Sequence, residues 1–364
     1  MVIRTLMLLL CLSASSCAQP NPPPEAPVRE PRPATTEEVV VLATPGQVSL
    51  DQISATMGRE SSFRFVARMP QLAAAGLIDP LIDLIPPGHR TTYEQFVAAS
   101  GFDLKTMVRG AYVYADTDGE GLDFTNGSIV LAVDGVSVDK LVSASEILEE
   151  SENPDDPETA DDTDVGSAIV LIELSDADRA LLLKDLRTSD DNLIEDVGNA
   201  TVVVQMDGES RYCGYLWPGG FVYRSMPESV PSSLLAAKKV LAPVIAELAQ
   251  ASSRKPRDTN DAVEGRMLVE KRELVFSGQI AERLTARIVV QLLPDDVETT
   301  EAFLENLPAI RARPQKALTA FAPASRPLAE FLFSGSEFGL SGEELTIEIA
   351  VDAERFKDLL SPLL

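Results

Sequence analysis

Histidine and cysteine are scarce in this chain of 364 residues, and their scarcity excludes several kinds of catalytic site. The single histidine is His89, so a zinc site built from several imidazoles is excluded. A Ser-His-Asp triad would have to use His89, and no G-x-S-x-G segment is present to carry the serine. Of the three cysteines, Cys11 and Cys17 lie near the N-terminus, so Cys213 has no intramolecular disulfide partner in the body of the chain. We expect Cys213 to be a small buried hydrophobic side chain.

Basic residues are also few, with 31 Lys and Arg against 57 Asp and Glu and a formal net charge of -26 at pH 7. Such a charge repels phosphate backbones, so nucleic acid is not an expected partner. After the N-terminal segment, no apolar run approaches the length of about 18 residues that a membrane-spanning helix needs. The glycine motifs G-x-x-x-x-G-K-[ST] and G-x-G-x-x-G are missing as well, and we expect no cofactor.

The first twenty residues, MVIRTLMLLLCLSASSCAQP, have the pattern of an export signal. Arg4 supplies an early positive charge, residues 6–12 form a short apolar segment, and small residues at 14–16 precede Cys17. This pattern resembles the signal of bacterial lipoproteins, and the resemblance covers these residues only. It implies that Cys17 is lipidated and that the protein is attached to a membrane through several acyl chains. It also implies the outer membrane, facing the periplasm or the cell surface, because no acidic retention residue follows the cysteine.

The alternative interpretation of the same residues is an ordinary secretory signal cut after Ala18, because Ser16 and Ala18 satisfy the small-x-small rule. Both interpretations export the chain, and they differ in whether the mature protein keeps a lipid anchor.

A proline-rich segment follows the signal, with seven prolines among residues 20–33. Its composition favours an extended polyproline II tether, at about 3.1 Å per residue. We therefore divide the chain into a signal peptide at 1–16, a lipidated cysteine and tether at 17–45, a first α+β half at 46–230 and a second α+β half at 231–364.

The body is predicted to be α+β, with mainly antiparallel sheets and helices packed on one face. Residues 62–69 alternate as a strand does, and a helical pattern follows them. Two related halves and one continuous sheet are both compatible with the pattern. An acidic segment at 149–164, with nine Asp and Glu, is expected to be a loop. Four units with a β-branched run before a Ser- or Asp-capped helix recur at 128–148, 168–186, 284–307 and 345–360.

Residues 116–127, DTDGEGLDFTNG, partly match a calcium-binding loop. Asp116, Asp118 and Glu120 place oxygen ligands at alternate positions, but Gly127 occupies the position of the bidentate glutamate. The flanking segments are typical of strands, so the favoured interpretation is an acidic hairpin turn closed by Asn126 and Gly127.

An aromatic cluster forms the most distinctive part of the body, in the segment RYCGYLWPGGFVY. Alternation around Pro218-Gly219-Gly220 predicts a hairpin. Two interpretations stay open: the aromatic side chains fill a core, or they are displayed as a patch that binds a sugar or a peptide. The residues are Tyr212, Tyr215, Trp217, Phe221 and Tyr223.

These observations predict an exported, lipid-anchored cell-envelope protein with a non-catalytic structural or binding role. Its expected partners are the membrane, through the anchor, and another envelope protein or a small ligand near Trp217. The alternative is an envelope hydrolase that uses two Asp or Glu side chains, since glycoside cleavage needs no other catalytic groups. Burial discriminates the two, because a hydrolase requires two carboxyl groups facing each other across an open, aromatic-lined cleft.

Overall fold

A computed structural model of the chain describes residues 40–74, 76, 78, 94–95, 97–98, 101, 104–117, 122–135, 167–187, 192–207, 210–227, 229–256, 261–269, 272–280, 284–312 and 335–351. The helices with bounds in these ranges, α1 to α6, are Leu50–Ser54, Met69–Ala74, Leu104–Met107, Asp176–Leu186, Leu234–Ser252 and Pro294–Ala312. The strands, β1 to β13, are Phe63–Arg68, Val108–Thr117, Leu122–Val133, Ala168–Leu171, Leu193–Val197, Ala200–Asp207, Ser210–Trp217, Gly220–Ser225, Asp261–Val269, Arg272–Ile280, Leu284–Gln291, Ser336–Ser341 and Glu344–Val351.

The thirteen described strands form one sheet in the order β12-β13-β11-β10-β9-β1-β2-β3-β4-β8-β7-β6-β5. Neighbouring strands in this part of the chain are antiparallel except β3 and β4, which are parallel. The predicted α+β class with mainly antiparallel sheet is therefore confirmed. Strands from both predicted halves belong to this sheet, because β9 pairs with β1.

Strands β4, β6, β7 and β8 and the second half of β3 are covered on both faces, which explains their continuous apolar runs. On one face, here called the α5 face, Val130 and Val222 are buried together with Ile245 of α5. On the opposite face, the α4 face, Val170 and Leu216 pack in a second core that includes α4.

Strands β9 to β13 have a different pattern, because their side chains alternate between apolar and polar. The register aligns an apolar row on the α4 face, and Phe303 of α6 contacts this row with its ring centroid 6.1 Å from that of Phe338. On the α5 face of the same strands the sheet is open, with Val275 43% exposed and Arg287 exposed. The apolar row consists of Phe65, Gly265, Phe276, Ile288, Ile347 and Phe338.

The recurring strand-then-helix units are present wherever the structure describes them. The units at 168–186 and 284–307 contain β4 with α4 and β11 with α6. In the first of these, the Ser175 hydroxyl accepts a hydrogen bond from the Asp178 backbone N–H at 3.1 Å, as predicted for a capping residue. The helical parts of the other two units, and the acidic segment 149–164, lie outside the described residues.

The hairpin predicted at 116–127 exists, but its predicted closure is wrong. Asp116 pairs with Asp123 and Thr117 with Leu122, so the strands are connected through residues 118–121, which lie outside the described residues. Asn126 and Gly127 instead lie inside β3. Gly127 is suited to the strand because a Cβ atom there would come within 2.6 Å of the Tyr114 carbonyl oxygen.

The close approach of β4 and β8 at Gly220 can be tested by substitution. Its φ is 148°, and a Cβ atom would lie 2.0 Å from the Val170 carbonyl oxygen, where β4 and β8 pair. We expect Gly220→Ala to lower the free energy of unfolding by about 2 kcal/mol or more, because it combines backbone strain with overlap. Urea unfolding measures the change. Gly339→Ala is the matched control, since nothing lies within 4 Å of its Cβ position, and equal effects of the two would contradict the close approach.

Candidate functional site

The aromatic cluster lies in the core and is not displayed at the surface, which corrects the interpretation as an exposed binding patch. Tyr215 and Trp217 are fully buried on the α5 face, with ring centroids 6.0 Å apart. Phe221 and Tyr223 are buried on the α4 face, where Tyr223 stacks on half-buried Tyr212 at 5.0 Å. The five side chains are divided between two faces because strand residues alternate, and helices cover both faces here. The predicted hairpin itself is confirmed, with Trp217 paired to Gly220.

Trp217 nevertheless lies directly behind a surface cleft. A Cβ atom on Gly219 would come 2.7 Å from Trp217 Nε1, and Gly219 lines the cleft. The segment before α1 contacts the same aromatic pair, since the Tyr215 hydroxyl donates to the Ala43 carbonyl oxygen at 3.0 Å.

We call this opening cleft one; its volume is about 640 Å³. Such a volume is in the usual range for small-molecule sites. Its walls come from α1 and the segment before it, from the start of α2, and from the ends of β3 and β4. They comprise residues 47–52, Arg68, Pro70, Gln71, Arg109, residues 132–134, residues 171–173 and Gly219.

Two buried polar atoms, one in the wall of cleft one and one behind Gly219, lack hydrogen-bond partners within the described part of the chain. They are the donor Trp217 Nε1 and the acceptor Gln71 Oε1. Buried polar atoms are nearly always paired, so each unpaired atom calls for an explanation.

The rim of cleft one carries an exposed ion pair. Arg109 Nη2 donates to Asp134 Oδ2 at 2.7 Å, and both side chains are more than half exposed. The hydrogen bond from Arg109 and its positive charge lower the pKa of Asp134.

Cleft two lies on the other side of α1, where the covered and the open parts of the α5 face meet. Its volume is about 420 Å³. It is lined by Asp51, Ser54 and Ala55 of α1 and the residues after it, by Arg64, Val66 and Arg68 of β1, by Tyr112 of β2, by Asp261 and residues 264–266 of β9, and by Glu273 and residues 275–277 of β10.

Arg68 lies between the two clefts, and its guanidinium is engaged by neighbouring oxygen atoms. Its guanidinium contacts Asp51 Oδ1 at 2.6 Å and Glu264 Oε1 at 2.8 Å, and it donates to the Asp261 carbonyl oxygen at 2.7 Å. The Arg68 side chain is only 9% exposed, so this is a largely buried charge satisfied by two carboxylates and a carbonyl.

Helix α1 is held in place by its own cap and by α5. Ser49 and Gln52 form a capping box, in which the Ser49 N–H donates to Gln52 Oε1 at 2.8 Å. The Gln52 side-chain amide donates to the carbonyl oxygen of Arg254, just beyond α5. This short helix therefore forms a fixed wall of both clefts.

The other candidate residues have no site around them in the described chain. Cys213 is buried, and burial raises the pKa of its thiol to about 12, which opposes thiolate formation. Asp116 accepts a hydrogen bond from the Ser62 backbone N–H at 3.2 Å. Asp118, Glu120 and Cys17 lie outside the described residues. Within the described ranges no group of three or more His, Cys, Asp and Glu is arranged to hold a metal ion.

Of the carboxylates that line the clefts, Asp51, Asp134, Glu264 and Glu273 are engaged by arginines, whereas Glu173 of cleft one is exposed. In cleft two, Glu264 pairs with Arg68, and Glu273 Oε1 lies 2.5 Å from Arg266 Nε in an ion pair. Burial raises the pKa of Glu247 on α5, the direction that a general acid requires, but Glu247 lines neither cleft.

Comparisons with known proteins do not assign the chain to a family. No protein-family model and no curated protein sequence matches the chain. Among solved structures, one titled "Structure of crystal form III of TP0453" is similar over 86% of this chain and 98% of its own, with 10% identity and a TM-score of 0.38. At that TM-score the similarity supports no conclusion about function. Among the described helices none is long and apolar enough to cross a membrane.

The contacts of Arg68 predict a large difference between two arginines that line cleft one. Arg68→Met should lower the free energy of unfolding by about 3–5 kcal/mol, because it leaves Asp51 and Glu264 without their cation. Arg109→Met, which breaks an exposed pair, should cost less than about 1 kcal/mol. Urea unfolding of both variants checks the prediction. A loss below 1 kcal/mol for Arg68→Met would show that its ion pairs are not holding the clefts together.

Proposed function

We propose that the protein is an exported, lipid-anchored component of the cell envelope that binds a small polar ligand in cleft one. The first part of the proposal is supported by the signal that ends at Cys17 and by the proline-rich tether after it. The outer membrane is the proposed location, facing the periplasm or the cell surface.

The observation that carries the binding role is the pair of unpartnered atoms at cleft one. Trp217 Nε1 can donate one hydrogen bond and Gln71 Oε1 can accept one. A ligand that offers both an acceptor and a donor, such as an amide or a hydroxyl group, matches this pair. Gly219 lies between the indole N–H and the cleft and carries no side chain that would screen the N–H.

A binding role is favoured over hydrolysis by the state of the carboxylates. A glycosidase needs one carboxyl with a raised pKa as its general acid and a second one opposite to it. At cleft one, the Arg109 guanidinium lowers the pKa of Asp134. Asp51 is paired with Arg68, so its charge serves the fold.

The anchor is tested by the mass of the N-terminal peptide of the full chain expressed in a bacterial host. We expect Cys17 to carry acyl chains and the protein to partition with membranes, because the signal resembles that of lipoproteins. Cys17→Ala should remove the modification and release the protein in soluble form. A wild-type peptide that begins at Gln19 without lipid would contradict the anchor and would indicate ordinary secretion.

The binding site is tested with the intrinsic fluorescence of Trp217, the single tryptophan of the chain. N-acetylglucosamine and N-acetylglycine amide are suitable probes, since each carries amide donors and acceptors. We expect either probe to change the emission, and Gln71→Leu to weaken binding by about tenfold, the value of one hydrogen bond. Gln250→Leu, at an exposed position of α5, is the control. Unchanged emission with both probes, or equal affinity in Gln71→Leu, would contradict the proposed ligand class.

A further inference from the structure

Two arginines face each other across neighbouring strands at cleft two. Arg64 of β1 and Arg266 of β9 are direct cross-strand partners on the α5 face, and both line the cleft. Like charges in directly opposite positions destabilise a sheet. The pairing is the more unusual because the chain has 31 basic residues against 57 acidic ones.

Carboxylates of the protein neutralise the neighbours of Arg64 but not Arg64 itself. Arg266 Nε contacts Glu273 Oε1 at 2.5 Å, and Arg68 is held by Asp51 and Glu264. No ion pair is formed by Arg64 with any residue that the structure describes, and its buried Nε, like that of Arg266, makes no hydrogen bond there. The Arg64 side chain does form a hydrogen bond with Tyr112.

The fourth carboxylate of the cleft, Asp261, belongs to the Arg68 end. Its carbonyl oxygen accepts from Arg68 Nη1 at 2.7 Å. Along β1, Arg64 and Arg68 are four residues apart, so they lie on the same face about 13 Å apart at 3.3 Å per residue. Asp261 and Glu264 are thus engaged by Arg68, while Glu273 contacts Arg266, the cross-strand partner of Arg64.

The surroundings of Arg64 favour an anionic guest. Burial raises the pKa of Tyr112, and the charge of Glu247 acts in the same direction, while the positive charge of Arg64 and its hydrogen bond with the phenol act in the opposite direction. The Tyr112 hydroxyl donates to the Met57 carbonyl oxygen at 2.8 Å, which fixes the phenol at the cleft wall. Ser277 also lines the cleft, so a neutral hydroxyl group accompanies the cation, whereas the Ser54 hydroxyl donates to the Asp51 carbonyl oxygen.

We propose that cleft two is a second ligand site, in which Arg64 binds the oxyanion of a carboxylate- or phosphate-bearing small molecule. The planar guanidinium offers two parallel N–H donors to such a group, and the bound anion neutralises the charge that faces Arg266. The two clefts share Asp51 and Arg68, but Arg64 lines cleft two only, so the proposal does not depend on the ligand of cleft one.

The test compares the melting temperatures of the full chain in detergent, in chloride, phosphate and succinate buffers of equal ionic strength. Phosphate stabilises most proteins through general exclusion, so the informative quantity is the difference between variants. Wild type should gain more from phosphate or succinate than Arg64→Gln does. In chloride, Arg64→Gln should melt about 1–3 °C higher than wild type, because it removes the repulsion with Arg266.

Two further variants separate the proposed site from general charge effects. Arg64→Lys keeps the charge but loses the planar fork, so it should melt as wild type does in chloride and respond less to the oxyanions. Arg287→Gln, on the open part of the same face and 3.8 Å from Glu348, should keep the full wild-type response.

The outcomes are distinct. A response to phosphate alone, or to succinate alone, supports the site and identifies which oxyanion it takes. Equal buffer responses in wild type and Arg64→Gln would overturn the proposal. A lower melting temperature of Arg64→Gln in chloride would also overturn it, because Arg64 would then stabilise the fold without a ligand.

Discussion

The buried guanidinium of Arg68 is the contact on which the arrangement of both clefts depends. Arg68 belongs to β1 in the middle of the sheet, and its guanidinium binds Asp51 of α1 and Glu264 of β9. It therefore joins α1 and β1 to a strand that lies far along the chain. A buried cation without its carboxylates is strongly unfavourable, so these elements are stable only together. The position of α1 between the clefts follows from this requirement and from its contact with the end of α5.

The place where both clefts open is set by incomplete coverage of one sheet face. Strands β4, β6, β7 and β8 are enclosed on both faces, whereas β9 to β13 have an open α5 face with a polar row formed by Glu264, Ser277, Arg287 and Glu348. Helix α1, five residues long, ends the covered part. A step between covered and open sheet leaves concave surface on either side of that helix, which is where small molecules bind.

Local patterns allowed much of this fold to be predicted, while the clefts depend on long-range register. Alternation identified β1 and the hairpin at Trp217, since each needs only neighbouring residues. The closure at Asn126 and Gly127 was predicted wrongly because that dipeptide also fits a strand that packs closely on Tyr114. In FRFVAR, Arg64 and Arg68 occupy one face of an otherwise apolar strand, a signal that could have marked them. Their partners on β9 are about two hundred residues away and could not be inferred from one sequence.

The net charge of -26 limits how an anionic ligand could be recognised by such a protein. At physiological ionic strength the Debye length is about 8 Å, so the acidic surface repels an anion only near contact and does not steer it toward the cleft. Affinity must then come from short-range, directional contacts within the cleft. Arg64, which forms no ion pair with a described carboxylate, can supply such contacts. Arg68 and Arg266 are already paired with carboxylates and cannot. The same reasoning explains why a neutral polar ligand suits cleft one, where Arg109 and Arg68 are both neutralised by neighbouring aspartates.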